Sequence, residues 1–102
     1  MEQKFIKRTH VYKETNQYAL HLDVYLPSNV DKSIPVVVYI HGGALIWGSR
    51  EIKNTNEVSM VLDSGMAYVS IDYRLAPETK LFEIKEDVES AFWWIYNTGA
   101  GL

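Results

Sequence analysis

The stretch IPVVVYIHGGALIWGSR, residues 34–50, decides the fold of this chain. Its run Val36–Ile40 is β-branched and aromatic without polar alternation, which predicts a strand covered on both faces. The run meets HGGA at residues 41–44, where the missing glycine Cβ atoms let backbone amides turn toward a bound group. Open α/β sheets bind ligands beyond the carboxyl ends of their parallel strands. The turn at 41–44 is therefore the candidate site.

Composition predicts a single soluble domain, residues 1–102. The net charge of −3 argues against nucleic acid or an anionic membrane surface as a partner. The absence of cysteine excludes disulfides, thiolate metal sites and a cysteine nucleophile. The N-terminus has no apolar segment typical of a signal peptide, and the longest apolar run, residues 91–96, is too short to span a bilayer. The expected localisation is cytoplasmic.

Two alternating runs, residues 5–13 and 18–26, flank the polar turn 15–17. They predict an antiparallel hairpin with one wetter face. Pro27 is expected to end the second strand. On that strand, the predicted apolar face is Leu20, Leu22, Val24 and Leu26, and the predicted polar face is His21, Asp23 and Tyr25.

The second half of the chain predicts α-β-α, which makes the full order β-β-β-α-β-α. Asn54 and Glu57 resemble a capping box that opens a helix over 55–63, and Gly65 is a natural stop. Residues 66–73 are expected to form an interior strand, and 82–97 a helix ended by Gly99. The expected buried stripe of this last helix is Ile84, Val88, Ala91, Phe92 and Ile95, and its expected solvent-facing acidic set is Glu83, Glu86, Asp87 and Glu89.

Two short motifs are the candidates for chemistry. The HGGA turn is either an oxyanion hole, in which backbone N–H groups stabilise a tetrahedral acyl-transfer intermediate, or a plain tight turn. The motif DYRLAPE, residues 72–78, directly follows the fourth strand. Within it, a structural ion pair between Asp72 and Arg74 is favoured over a catalytic role.

Together, HGGALIWGSR and DYRLAPE resemble the α/β-hydrolase fold, specifically the hormone-sensitive-lipase-like esterases and carboxylesterases. The resemblance implies an α/β fold, a truncated α/β-hydrolase sheet with an antiparallel N-terminal hairpin followed by parallel strands. It also implies that the fourth strand lies between the second and third. Intact relatives hydrolyse small carboxylic esters through a serine acyl-enzyme, without cofactor or metal. By the same resemblance, Gly42 shapes the oxyanion-hole turn, and the amides of Gly43 and Ala44 are its donors. Ala44 stands where many relatives have a third glycine, and Phe82 where proline is common.

The family's nucleophile motif G-x-S-x-G and its downstream acid and histidine are missing from these 102 residues. Ser49 comes closest but lacks the second glycine. His41 is expected to hold the glycine turn in shape, and His10 and His21 are interpreted as hairpin histidines with no metal-ligand spacing. Trp47 suits either an acyl pocket or a core anchor.

The chain is therefore expected to be the N-terminal portion of an ester hydrolase that lacks the nucleophile elbow and is inactive alone. The alternative is a non-catalytic fragment that acts as an interaction or oligomerisation module. In that case Val36–Ile40 is an open edge strand that pairs with a second copy. Partly uncovered aromatic side chains, Trp93, Trp94 and Tyr96, would favour the same association.

Overall fold

The computed structural model of the chain describes residues 5–27, 34–41, 50–52, 55–76 and 78–98. Within these ranges, the elements follow the predicted order β-β-β-α-β-α. Their bounds are β1 Phe5–Glu14, β2 Ala19–Pro27, β3 Val36–Ile40, α1 Asn56–Asp63, β4 Ala67–Ile71 and α2 Leu81–Thr98.

The four strands form one mixed sheet in the order β1-β2-β4-β3. β1 pairs antiparallel with β2, β2 antiparallel with β4, and β3 parallel with β4. The predicted hairpin, the parallel pair and the position of β4 between β2 and β3 are confirmed. Because β3 and β4 are parallel and Ile40 pairs with Ile71, the segments that follow both strands leave the sheet at the same edge.

Apolar side chains cover both faces of this sheet. The face under α2 holds the larger cluster, and the face under α1 holds a smaller one built around Tyr25 and Tyr68. Burial of this apolar surface is the main stabilising term of the fold. The larger cluster contains Tyr12, Leu20, Leu22, Val24, Leu26, Ala67, Val69, Ile71, Ala91 and Ile95.

The prediction of a wetter face on β2 is wrong at two of its three positions. Asp23 and Tyr25 are both 3% exposed, whereas His21 is half-buried. The physical reason is that β2 lies between β1 and β4 and has packing on both faces. Tyr25 packs in the α1 cluster beside Tyr68, with the two ring centroids 6.1 Å apart.

β3 is less covered than its composition predicts. Val36 and Val38 pack against the α2 cluster, and Val37 and Tyr39 pack against the α1 cluster, so both faces are apolar as expected. All four are only partly buried, however, and Ile40 is 44% exposed. Among the described residues, β3 is the edge strand of the sheet, with β4 as its neighbour.

The N-terminus of α1 differs from the predicted capping box. Thr55 is the N-cap and makes no side-chain capping bond, while Asn54 lies outside the described residues. The Glu57 carboxylate instead accepts a hydrogen bond from the Tyr68 hydroxyl at 2.8 Å. The described N-cap is thus one residue later than predicted, and the bonds predicted between Asn54 and Glu57 lie outside the described residues.

The predicted buried stripe of α2 is correct at Ile84, Ala91 and Ile95. Phe92 is 48% exposed, which corrects its placement on that stripe. The prediction that Asp87 faces solvent is wrong, because its carboxylate is buried in bonds to Arg74 and Lys13. The predicted stop at Gly99 lies outside the described residues. Over the described part of the chain, neither helix has the length and apolar character needed to cross a membrane.

Candidate functional site

The predicted oxyanion-hole residues Gly42, Gly43 and Ala44 lie outside the described residues, as do Trp47 and Ser49. The two residues that flank residues 42–49 are described. His41 follows β3 directly, and Arg50 begins the next described stretch. Their contacts define how the candidate turn is attached to the sheet.

Tyr73 holds His41, the residue just before the glycine turn. The two rings are stacked with centroids 4.2 Å apart and planes 5° from parallel. The Tyr73 hydroxyl also donates a hydrogen bond to the His41 carbonyl at 2.8 Å. Burial raises the pKa of Tyr73, so this hydroxyl remains a donor. His41 is also buried. Its ring and its carbonyl are therefore both fixed against Tyr73.

Asp72 holds Arg50, the residue just after the same segment. One carboxylate oxygen accepts the Arg50 backbone N–H at 2.7 Å, and the other accepts the guanidinium Nη1 at 2.6 Å. The Ser70 hydroxyl donates to the Arg50 carbonyl at 2.7 Å. Asp72 and Tyr73 are adjacent, so one dipeptide after β4 holds both His41 and Arg50, the described residues on either side of 42–49.

A second carboxylate, Asp23 on β2, extends this contact. The Arg50 Nε donates to it at 3.1 Å, and the Thr9 hydroxyl donates at 2.6 Å. Lys7 lies 3.8 Å from its other oxygen. Burial alone would lower the pKa of Arg50, but its bonds to Asp72 and Asp23 raise the pKa above the usual value. The guanidinium is therefore a permanent cation between two carboxylates.

The sequence analysis missed Asp23 as a site residue. The signal available was a carboxylate within an apolar run, between Leu22 and Val24, on a strand that the topology places in the sheet interior. A buried carboxylate needs a partner, and Arg50 is a cation to which the sequence assigns no partner. Pairing Asp23 with Arg50 in advance requires the order of the strands in the sheet. The alternation of residues along β2 does not reveal that order.

The predicted ion pair between Asp72 and Arg74 is not formed. Asp72 is engaged with Arg50, and Arg74 pairs with Asp87 of α2 through Nε and Nη2, both at 2.9 Å. The Arg74 backbone N–H also donates to Asp87 at 3.0 Å. Two-point guanidinium–carboxylate bonds are among the strongest hydrogen bonds in proteins, which favours the pairing of Arg74 with Asp87. Three consecutive residues, 72–74, thus attach Arg50, His41 and helix α2, in that order, to the end of β4.

The carboxylates of Asp23, Asp72 and Asp87 are all bound in ion pairs with arginine side chains. Asp23 and Asp72 are neutralised by Arg50, so neither is placed as a free general base. His10 lies on β1, which the described sheet places at the opposite edge from β3, and its ring centroid is 5.0 Å from that of Trp94. Within the ranges that the structure describes, no group of three or more His, Cys, Asp or Glu side chains could hold a metal ion.

The mixed sheet and its helices have the α/β-hydrolase fold, and this chain corresponds to the N-terminal part of that fold. More narrowly, the chain belongs to the BD-FAE family, which matches residues 22–102.

Relatives of known sequence or structure support that assignment. Residues of this chain are 41% identical over 91 positions to the non-reducing polyketide synthase nvfA of Aspergillus novofumigatus, covering 85% of this chain and 4% of that protein. The esterase Est2 of Thermogutta terrifontis superposes with a TM-score of 0.80 at 23% identity, over 89% of this chain and 34% of that one. The esterase of Pyrobaculum calidifontis superposes with a TM-score of 0.70 at 30% identity, over 97% of this chain and 31% of that one. The chain thus spans a small fraction of the synthase and about a third of each esterase.

Proposed function

We propose that this chain supplies the oxyanion-hole portion of a serine ester hydrolase. In this proposal, the amides of Gly43 and Ala44 donate to the oxygen of the tetrahedral intermediate, and Gly42 shapes the turn. One observation carries the proposal: the adjacent residues Asp72 and Tyr73 hold Arg50 and His41, which flank residues 42–49 in the sequence, just after the end of β4. A catalytic turn needs such fixed ends, because oxyanion stabilisation depends on donors that are already in place.

The nucleophile has to come from outside these 102 residues, because none of their serines lies in a G-x-S-x-G elbow. A serine needs a neighbouring base and a third orienting group before it attacks an ester. The attack on the ester carbonyl carbon places negative charge on the carbonyl oxygen. The two amides stabilise this charge by donating hydrogen bonds to it. The base takes the serine proton during this attack and passes it to the alcohol oxygen as the ester C–O bond breaks and the carbonyl re-forms. Water then attacks the acyl-enzyme in the same way, which releases the acid and restores the serine. The substrate class is a small carboxylic ester, and no step requires a metal or cofactor.

Proline substitution tests the proposed donors, because proline removes the backbone N–H. In a form of the protein that includes a G-x-S-x-G elbow, Ala44→Pro and Gly43→Pro should lower the kcat for p-nitrophenyl butyrate by about 10²–10³. Ala44→Ser is the matched control, since it keeps the N–H, and should retain most of the rate. Circular dichroism establishes that each variant is folded. Full activity in the folded proline variants would contradict the proposal.

The 102-residue chain by itself should show no burst of p-nitrophenol. A burst from this chain that disappears on Ser49→Ala would place the nucleophile within these 102 residues. It would contradict the proposal that the nucleophile comes from outside them.

Self-association is a second candidate function, favoured by the position of β3. It is the edge strand among the described residues, and Ile40 at its end is 44% exposed. Edge strands with apolar faces pair readily with another chain. This candidate needs no chemistry at the glycine turn, so the hydrolysis assay and a measurement of oligomeric state distinguish the two.

A further inference from the structure

We infer that Arg50 is a positioning residue for the glycine turn and that Asp23 and Asp72 are the two carboxylates that hold it in place. The three residues are called the Arg50 clamp below. The inference rests on the proposed function, because it gives residues 42–49 their role, but the clamp itself consists of described contacts alone.

The clamp restrains Arg50 through its main chain as well as its side chain. Both oxygens of Asp72 bond to this one residue, one to the backbone N–H and one to the guanidinium. The Ser70 hydroxyl holds the Arg50 carbonyl. A residue with its N–H, its carbonyl and its side chain all bound has little freedom in φ and ψ. The main-chain position of Arg50 is therefore set by β4 and by the residue that follows it.

Asp23 adds a contact from a different strand. It is 3% exposed and lies on β2, which borders β4 on the side away from β3. Its bond from the Arg50 Nε means that the guanidinium spans two neighbouring strands. Thr9 on β1 fixes the same carboxylate oxygen at 2.6 Å. The clamp thus connects Arg50 to β2 directly, to β4 through the adjoining Asp72, and to β1 through the bond between Thr9 and Asp23.

Lysine cannot reproduce this arrangement. A guanidinium is planar and presents several donors in a fixed fork, so Nε and Nη1 reach different carboxylates at once. A lysine ammonium is a single point charge on a flexible stem. Arg50→Lys therefore keeps the charge balance between the carboxylates but loses the orientation. This substitution separates positioning from simple neutralisation.

Amide hydrogen exchange on the 102-residue chain, read by NMR, tests the clamp without any assay of activity. Arg50→Lys and Asp23→Asn should each accelerate exchange of the amides at 42–50 by about tenfold. Each substitution removes charge-assisted bonds that the parent chain must break in order to open locally. Amides in the interior strands, such as those of Val24 and Val69, should be unchanged. The control is Lys85→Ala, which removes an exposed pair with Glu89 on α2 and should alter neither set.

Two results would overturn the clamp: unchanged exchange at 42–50 in both variants, or an equal acceleration of all amides, which indicates global destabilisation. Kinetics of an elbow-containing form supply the second readout. Arg50→Lys should lower kcat with little change in KM, since the misplaced donors act on the transition state.

The two readouts also separate this inference from the proposed function. A response in exchange without any ester hydrolysis by the parent protein would refute the proposed function and leave the clamp intact. Hydrolysis by the parent protein together with unchanged kcat and exchange in Arg50→Lys would refute the clamp alone.

Discussion

Asp87 is a carboxylate without solvent exposure that is held by two cations. Arg74 supplies two guanidinium bonds and its backbone N–H, and Lys13 on β1 supplies a bond at 2.9 Å. Burial alone would raise the pKa of Asp87, but the bonds from Arg74 and Lys13 hold its pKa below the usual value. The charged form is therefore the one that the fold stabilises. This pairing ties α2 to β1 and to the segment after β4.

Asp87→Asn should lower the free energy of unfolding at neutral pH by about 3 kcal/mol, because it leaves the Arg74 charge buried without its counterion. Urea unfolding followed by circular dichroism measures the change. Glu89→Gln removes an exposed partner on the same helix and should change stability by less than about 0.5 kcal/mol. Equal effects of the two substitutions would show that the buried pair contributes nothing specific.

The pH dependence of that difference has a definite sign. Since folding lowers the pKa of Asp87, its contribution is complete above the pKa of the unfolded chain, about 4, and is lost as pH falls through the lower folded value. Asparagine does not titrate. The stability gap between the parent chain and Asp87→Asn should therefore be constant near neutrality and narrow on acidification below about pH 4. A gap that widens with acid would contradict the assignment.

The end of helix α1 shows how a single glycine stops an element. Gly65 has φ of 83°, in the left-handed region. Its N–H donates to the Leu62 carbonyl at 3.0 Å, and the Met66 N–H donates to the Val61 carbonyl at 3.2 Å. These two bonds form a Schellman motif, which satisfies carbonyls that the helix leaves unpaired. The predicted stop at Gly65 is confirmed.

Gly65→Ala should lower the free energy of unfolding by about 1 kcal/mol, because a Cβ is unfavourable in the left-handed region. No atom lies within 4 Å of a Cβ built at Gly65, so the loss reflects backbone conformation alone. Gly65→Asn is the matched control and should lose less, since asparagine tolerates this region. The measurement is the urea midpoint at unchanged slope. A Gly65→Ala variant as stable as the parent would contradict this reading of the stop.

Most elements could be predicted from the sequence because their signals are local. Apolar periodicity, Gly65 and the hairpin turn lie within a few residues of what they determine. The partners of charged residues could not be predicted in the same way. Asp72 bonds to Arg50 and Arg74 bonds to Asp87, and both pairings depend on which strands are neighbours. The burial of Asp23 follows from the same strand order, whereas alternation along β2 favours a solvated position.

At the scale of the molecule, the sheet has two different edges. β1, the outer strand of the hairpin, carries four charged residues, and its Lys7 and Arg8 discourage pairing with another chain. β3 carries no charge along Val36–Ile40. On α2, the outward face adds further apolar surface, with Trp93 63% and Tyr96 78% exposed. Of the two edge strands in the described sheet, β1 is therefore charged and β3 is uncharged.

We predict that the 102-residue chain on its own forms a two-fold dimer in which β3 pairs antiparallel with its copy. Such pairing satisfies the outward backbone groups of β3 and joins two four-stranded sheets into one. Ile40→Lys should yield a monomer, because it adds a charge at the paired edge. Met60→Lys makes the same change at an exposed position of α1 and should remain dimeric. Sedimentation velocity over tens of micromolar measures the mass, and amide exchange measures protection of Val36–Ile40. A compact parent monomer whose Val36–Ile40 amides exchange rapidly would refute the dimer.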